Sequence, residues 1–198
     1  MVDRKQLGLL TSSVEEWNEW REKNFGVEID LEGANLEEAN LEGVNLEGAY
    51  LLGIKLEGAN LRGAKLQEAN LEGANLQRAN LLGAKLEGAK LKEADLRGTK
   101  LLLANLQRAN LQGANLYRAY LRGANLLLAN LLLANLEGAN LLLANLQGAN
   151  LRGANLKEAN LRAAKFGNNQ GISEEMRADF IQRGAIFIES PGLGDTYS

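Results

Sequence analysis

The sequence predicts an all-β solenoid, a fold in which short extended segments and turns repeat along one axis. Leucine occupies every fifth position from Leu31 to Leu161 without interruption. On an α-helix five residues advance about 500°, which makes no apolar stripe, and on a strand an odd spacing puts alternate leucines on opposite faces. The chain must therefore turn once per pentad. Glycine two residues after leucine in 15 pentads suits the third position of a type II turn, where φ is positive.

The repeated unit is Ala-Asn-Leu-x-x, as in residues 34–38, and it recurs in 28 consecutive pentads over residues 29–168. The third position of the pentad is leucine in 27 copies and Phe166 in the last copy. The first position is alanine in 24 copies. The chain resembles the pentapeptide-repeat proteins, whose pattern is Ala-Asp/Asn-Leu-x-x. That resemblance implies a right-handed quadrilateral β-helix with four pentads per coil and about seven coils. Its central leucine and preceding alanine would point inward, and the rod would be about 34 Å long.

Residues 1–28 break the pattern and are expected to form an N-terminal capping segment with a short helix. Ser13 and Glu16 have the spacing of a capping box, which predicts a helix over residues 14–23. Trp17 and Trp20 fall along one side of it. We interpret them as covering the first coil, with a ligand surface as the alternative. Residues 27–31 alternate like a strand.

Residues 169–198 are expected to form a C-terminal helix and strand cap with a tail. Ser173 is placed to cap a short helix, and Gly184 suits its end. Met176, Phe180 and Ile181 would form its apolar side. Residues 185–188 resemble a final strand, and residues 191–198 a loose tail. Such helical terminal caps are similar to those of many bacterial members of the family.

The composition argues against an enzyme. The chain of 198 residues has no histidine and no cysteine, which removes the commonest general base, thiol nucleophile and thiolate metal ligand. We therefore expect no catalytic, cofactor-binding or metal-binding residues and no cofactor. The apolar stretch over residues 7–10 is too short for a signal-peptide core, and no run reaches membrane-spanning length. These features predict a cytoplasmic protein with no membrane partner.

Charge is distributed unevenly along the repeat, although the net charge is only −3. Residues 30–57 carry seven acidic side chains against Lys55 alone, whereas residues 78–165 carry 13 lysines or arginines and five acidic side chains. The rod should be acidic at its first coils and mildly basic beyond. A solvated exterior of drifting composition and a dipole that orients a partner both remain open interpretations.

The two positions after the central leucine should face solvent, yet many of them hold leucine. We take these side chains as a candidate interaction surface because contiguous exposed leucine usually marks an interface. The alternatives are scattered surface leucines or a cover formed by the C-terminal segment. The candidate residues are Leu102, Leu103, Leu127, Leu128, Leu132, Leu133, Leu142 and Leu143.

Three functions are compatible with such a rod. The first is a non-enzymatic protein-interaction or scaffold module, with an unidentified protein partner or a second copy as in a homodimer. The resemblance implies the second, a DNA-mimic modulator of DNA gyrase or topoisomerase. The uninterrupted repeat over residues 29–168 and the basic later coils count against it. The third is nucleic-acid binding, which the sparse basic residues and the lack of interleaved aromatics disfavour. The first function fits the sequence best.

Overall fold

The computed structural model describes residues 3–188. Two helices come first, α1 (Arg4–Ser12) and α2 (Val14–Lys23). The repeat follows and ends in the short strand β1 (Lys165–Phe166). Helix α3 (Glu174–Gln182) and strand β2 (Ile186–Phe187) complete the described chain, and β2 pairs with β1 in parallel.

The repeat winds into a β-helix through parallel pairing of residues that lie 20 positions apart. The bridges run from Asp30 with Tyr50 to Asn150 with Gln170. The Leu31 N–H donates to the Tyr50 carbonyl at 2.9 Å, and the Tyr50 N–H donates to the Ile29 carbonyl at 2.8 Å. Because 20 residues are four pentads, each coil contains four pentads. The predicted β-helix is confirmed.

Each pentad turns through its last two residues. In the first pentad the Ala34 N–H donates to the Leu31 carbonyl at 3.0 Å, and Gly33 between them has φ of 64°. Positive φ at this position alone is the signature of a type II turn. Across the 27 leucine pentads, fifteen glycines and twelve other residues have positive φ at this position. The predicted turn is therefore confirmed, and it forms even where glycine is absent.

The interior of the rod is a set of stacked leucines and alanines. All 27 repeat leucines are buried, as are Phe166 and most of the alanines that begin the pentads. Thr99 replaces one of these alanines and is fully buried. Its hydroxyl donates to the Leu76 carbonyl at 2.7 Å, which removes the cost of a buried polar group without a partner.

Helix α2 lies against the first coil with the predicted side inward. Trp17 is fully buried, and its indole N–H donates to the Asn45 carbonyl at 2.9 Å. The Arg21 guanidinium donates to the Glu47 carbonyl at 2.8 Å, and burial lowers the pKa of Arg21. The predicted N-cap is confirmed, because the Ser13 hydroxyl accepts from the Glu16 N–H at 3.2 Å.

Helix α1 was not predicted, and the strand expected over residues 27–31 is reduced to a single β-bridge at Asp30. The Asp3 carboxylate caps α1, and Leu10 on that helix is buried. The Gln6 side chain donates to the Glu28 carbonyl at 2.8 Å and accepts from the Asp30 N–H at 2.9 Å. The Gln6 side chain thus makes hydrogen bonds along the outer edge of the first coil, on the side opposite the bonds to Tyr50. In that segment only Asp30 forms a β-bridge.

At the other end, α3 packs on the last coil through aromatic side chains. The Ser173 hydroxyl accepts from the Met176 N–H at 3.2 Å, as predicted for an N-cap. The rings of Phe166 and Phe180 lie 5.2 Å apart. Ile181 is exposed, so its expected place on the apolar side is wrong, because one residue beyond Phe180 turns about 100° away from the core. The tail expected at residues 191–198 lies outside the described residues.

Candidate protein-interaction surface

The eight candidate leucines all lie on the outside of the β-helix, at the fourth and fifth positions of their pentads. Those at the fourth position are half-buried, namely Leu102, Leu127, Leu132 and Leu142. Those at the fifth position are exposed, namely Leu103, Leu128, Leu133 and Leu143. Among these, Leu103 is the most accessible at 64%, which leaves most of an apolar side chain in water.

Stacking by 20 residues sorts these side chains onto different edges of the rod. One edge, here called the leucine edge, consists of Leu82, Leu102, Leu103, Leu142 and Leu143. Leu127 and Leu128 lie on the next edge around the rod, and Leu132 and Leu133 on the one after that. The leucine edge therefore extends along several coils, whereas the other four leucines form a band around about one coil.

The backbone makes leucine an unfavourable choice at the fifth position. Leu103, Leu128, Leu133 and Leu143 have φ between 57° and 63°. The left-handed region costs a residue with a Cβ about 1–2 kcal/mol, whereas glycine adopts it readily. Glycine fills this position in 15 pentads of the same chain. Leucine here gains no core burial that offsets the cost, so the fold does not require it.

A large side chain at the fifth position lies over the pentad one coil further along. A Cβ placed on Gly123 would lie 2.9 Å from Leu103 Cδ2, and one on Gly148 would lie 2.6 Å from Leu128 Cδ2. These distances are shorter than ordinary van der Waals contact. Glycine at these sites therefore leaves space for the leucine from the preceding coil.

A shallow apolar groove of about 410 Å³ runs beside the leucine edge. Tyr120 is 54% exposed and stands where most pentads have asparagine. Leu82 and Leu102 of the leucine edge line the groove together with Lys100 and Arg122. Its lining residues are Asn80, Leu82, Lys100, Leu102, Tyr120, Arg122 and Asn140. The sequence did not indicate this groove, because its walls come from residues 20 positions apart.

The charged side chains of the repeat are partly or fully exposed and form few ion pairs with each other. Glu42 and Arg62 approach to 3.8 Å, and both are more than half exposed. The Asp95 carboxylate bonds to the Arg97 guanidinium at 2.6 Å and raises the pKa of Arg97. Such exposed pairs contribute little to stability.

Residues 3–188 contain no group of three or more acidic side chains arranged to hold a metal ion. Within the same range, no helix has the length and apolar character needed to cross a membrane. Phe25 lies two residues after the end of α2 and is 91% exposed, which the sequence pattern did not predict.

Comparison with known proteins identifies one repeat family. The family profile described as pentapeptide repeats matches residues 27–63, 54–92, 89–127 and 129–168. No curated protein sequence matches the chain significantly.

Solved structures of repeat proteins also match. One is HetL, a pentapeptide repeat protein involved in heterocyst differentiation regulation in the cyanobacterium Nostoc sp. strain PCC 7120. It is 39% identical to this chain, and the match covers 70% of this chain and 75% of HetL with a TM-score of 0.41. Full-length QnrB1, a plasmid-mediated fluoroquinolone resistance protein, is 18% identical over 83% of this chain and 84% of its own, with a TM-score of 0.54. A pentapeptide repeat protein from the Arabidopsis thaliana thylakoid lumen is 31% identical over 63% of this chain and 80% of its own, with a TM-score of 0.29.

Proposed function

Because this chain belongs to the pentapeptide-repeat family, we propose that it is a non-enzymatic scaffold whose rigid rod presents an apolar surface to a protein partner. The repeat supplies the rigidity, since each coil is hydrogen-bonded to its neighbours along most of its length. The partner binds at the eight candidate leucines. A protein partner fits this surface because the side chains are apolar and lie exposed or half-buried on the outside of the rod.

The finer geometry of the rod is part of this proposal. Twenty-eight pentads at four per coil make seven coils, wound in the right-handed sense of the family. Helices α1 and α2 cover the first coil, and α3 with β2 covers the last. Terminal covers of this kind keep the ends of a solenoid from pairing with other chains, so they direct association to the sides of the rod.

The observation that carries the proposal is leucine at positions where the fold prefers glycine. At the fifth position, leucine has both an unfavourable φ and an exposed apolar side chain. Neither property helps the β-helix itself. A binding surface explains both, because burial against a partner is worth on the order of 1.5–3 kcal/mol for each leucine side chain.

Photo-crosslinking tests this function directly. We expect a photoreactive phenylalanine analogue at position 132 to give discrete protein adducts in cells, because Leu132 lies in the proposed surface. The same analogue at Gln112 is the matched control, since Gln112 occupies the same stack one coil earlier. Adducts are resolved by gel electrophoresis and mass spectrometry. Equal adduct patterns at the two positions would contradict the proposal.

The DNA-mimic alternative gives the opposite expectation for gyrase. The acidic side chains that favour it are exposed on the first coils, namely Glu32, Glu37, Glu38 and Glu42. For a scaffold, micromolar purified protein should leave gyrase supercoiling activity unchanged in a plasmid assay. Inhibition that weakens when these four residues are changed to glutamine would establish mimicry instead.

A further inference from the structure

We propose that the side of the rod formed by the leucine edge and the groove binds a second copy of this chain, with the two rods antiparallel. This inference rests on the proposed function and names the partner for one part of the surface. The two-fold axis lies across the rods, midway between the coils that hold Leu102 and Arg122. Coils are about 4.8 Å apart, so residues at equal distances on either side of that point face each other.

The fourth positions of the leucine edge are self-complementary in this arrangement. Leu82 faces Leu142 of the second copy, and Leu102 faces Arg122. Leucine against leucine buries apolar surface from both rods. The aliphatic stem of an arginine can lie along a leucine while its guanidinium stays in water, so this second pairing also buries apolar surface.

The fifth positions are complementary in size. Leu143 faces Gly83 of the second copy, and nothing lies within 4 Å of the space above Gly83 or Gly63. Leu103 leans along its own rod toward Gly123, which brings it to the axis. The two Leu103 side chains therefore meet each other. No pair of large side chains competes for the same space at the other fifth positions, where Gly63 faces Ala163.

The polar side chains that face each other in this register are also compatible. Lys100 faces the exposed ring of Tyr120, a pairing of a cation with an aromatic face. Arg62 faces Arg162, but Glu42 lies 3.8 Å from Arg62 and one coil from the facing arginine. The carboxylate therefore lies on one side of the facing arginines and partly offsets their positive charge.

A parallel pair lacks this complementarity. In that arrangement each coil faces the same coil of the second copy, so Arg62, Arg122 and Arg162 each face themselves, and Glu42 faces Glu42. Like charges at close range oppose association. The order of residues along the edge thus selects the antiparallel pair.

The absence of cysteine from the chain allows a direct test of partner and register. Two single variants, Leu82→Cys and Leu142→Cys, are purified, mixed and oxidised mildly. We expect a disulfide-linked heterodimer on a non-reducing gel, because these positions face each other. Mixing Leu82→Cys with Leu127→Cys is the matched control, since Leu127 is an outward leucine on another edge. If both mixtures link to the same extent, the register is wrong.

Sedimentation velocity provides the second readout. The unmodified protein should sediment as a dimer at high concentration, and Leu102→Gln with Leu142→Gln should weaken the dimer by roughly tenfold or more. Leu127→Gln with Leu132→Gln should leave it intact, which controls for a general loss of apolar surface. A wild-type monomer would overturn this inference. If position 132 then still crosslinks to another protein in cells, the proposed function stands without the homodimer.

Discussion

Replacing Leu96 by alanine is expected to lower the free energy of unfolding by about 2–5 kcal/mol. Leu96 is 1% exposed in the middle of the rod. Its neighbours in the same interior stack are Leu76 and Leu116, 20 positions away on each side, and both are fully buried. A smaller side chain leaves a cavity that hydrogen-bonded coils cannot close. Urea denaturation followed by circular dichroism measures the change.

The matched control for this prediction is Glu37→Ala. Glu37 is exposed on an outer edge, and its removal leaves the interior stack unchanged. We expect that variant to unfold within about 0.5 kcal/mol of the original protein, as for most surface changes. Similar losses for the two variants would mean that the interior leucines do not hold the β-helix together.

Replacing Trp17 by alanine is expected to lower the free energy of unfolding by about 3–5 kcal/mol, as much as the Leu96 change or more. Trp17 is fully buried between α2 and the first coil, and its ring lies 5.6 Å from that of Trp20. The change removes the largest buried side chain of this end and its hydrogen bond to Asn45. It also exposes the apolar end of the first coil. Thermal unfolding and hydrogen exchange of the first coil measure the effect.

The Trp17→Phe variant separates the contribution of the apolar contact from that of the hydrogen bond. Phenylalanine keeps most of the apolar contact and loses the hydrogen bond to the Asn45 carbonyl, so we expect a cost of roughly 1–3 kcal/mol for the carbonyl that is left without its partner. Faster exchange should be confined to the N-terminal end of the rod. An alanine variant as stable as the original protein would show that α2 does not hold the first coil.

The sequence by itself determined the features that repeat or that depend on neighbouring residues. Leucine at every fifth position fixed the inward direction of residues such as Leu96, because only one turn per pentad keeps leucines on one side. Glycine at sites such as Gly33 fixed the turn type through its positive φ. Ser13 and Ser173 fixed where two helices begin, since an N-cap acts within three residues.

The number of pentads per coil was predicted from the family resemblance and not from the periodicity. A period of five residues indicates that the chain turns once per pentad, but it does not indicate how many turns complete a coil. The pairing of Asp30 with Tyr50 settles that number as four pentads. The candidate leucines were likewise found from the sequence, because they occupy positions that the repeat turns outward, although their use as a binding surface is a proposal.

Only the tertiary structure decided the features that join distant parts of the chain. The Gln6 side chain accepts a hydrogen bond from the Asp30 N–H, and this contact spans 24 residues, so no local pattern near Asp30 indicates it. Helix α1 depends on the burial of Leu10 against the rest of the fold. The groove beside Tyr120 exists because coils bring residues 20 positions apart to adjacent places. The physical reason is the same for all three features. Each depends on contacts between residues far apart in the sequence, and neighbouring residues do not determine those contacts.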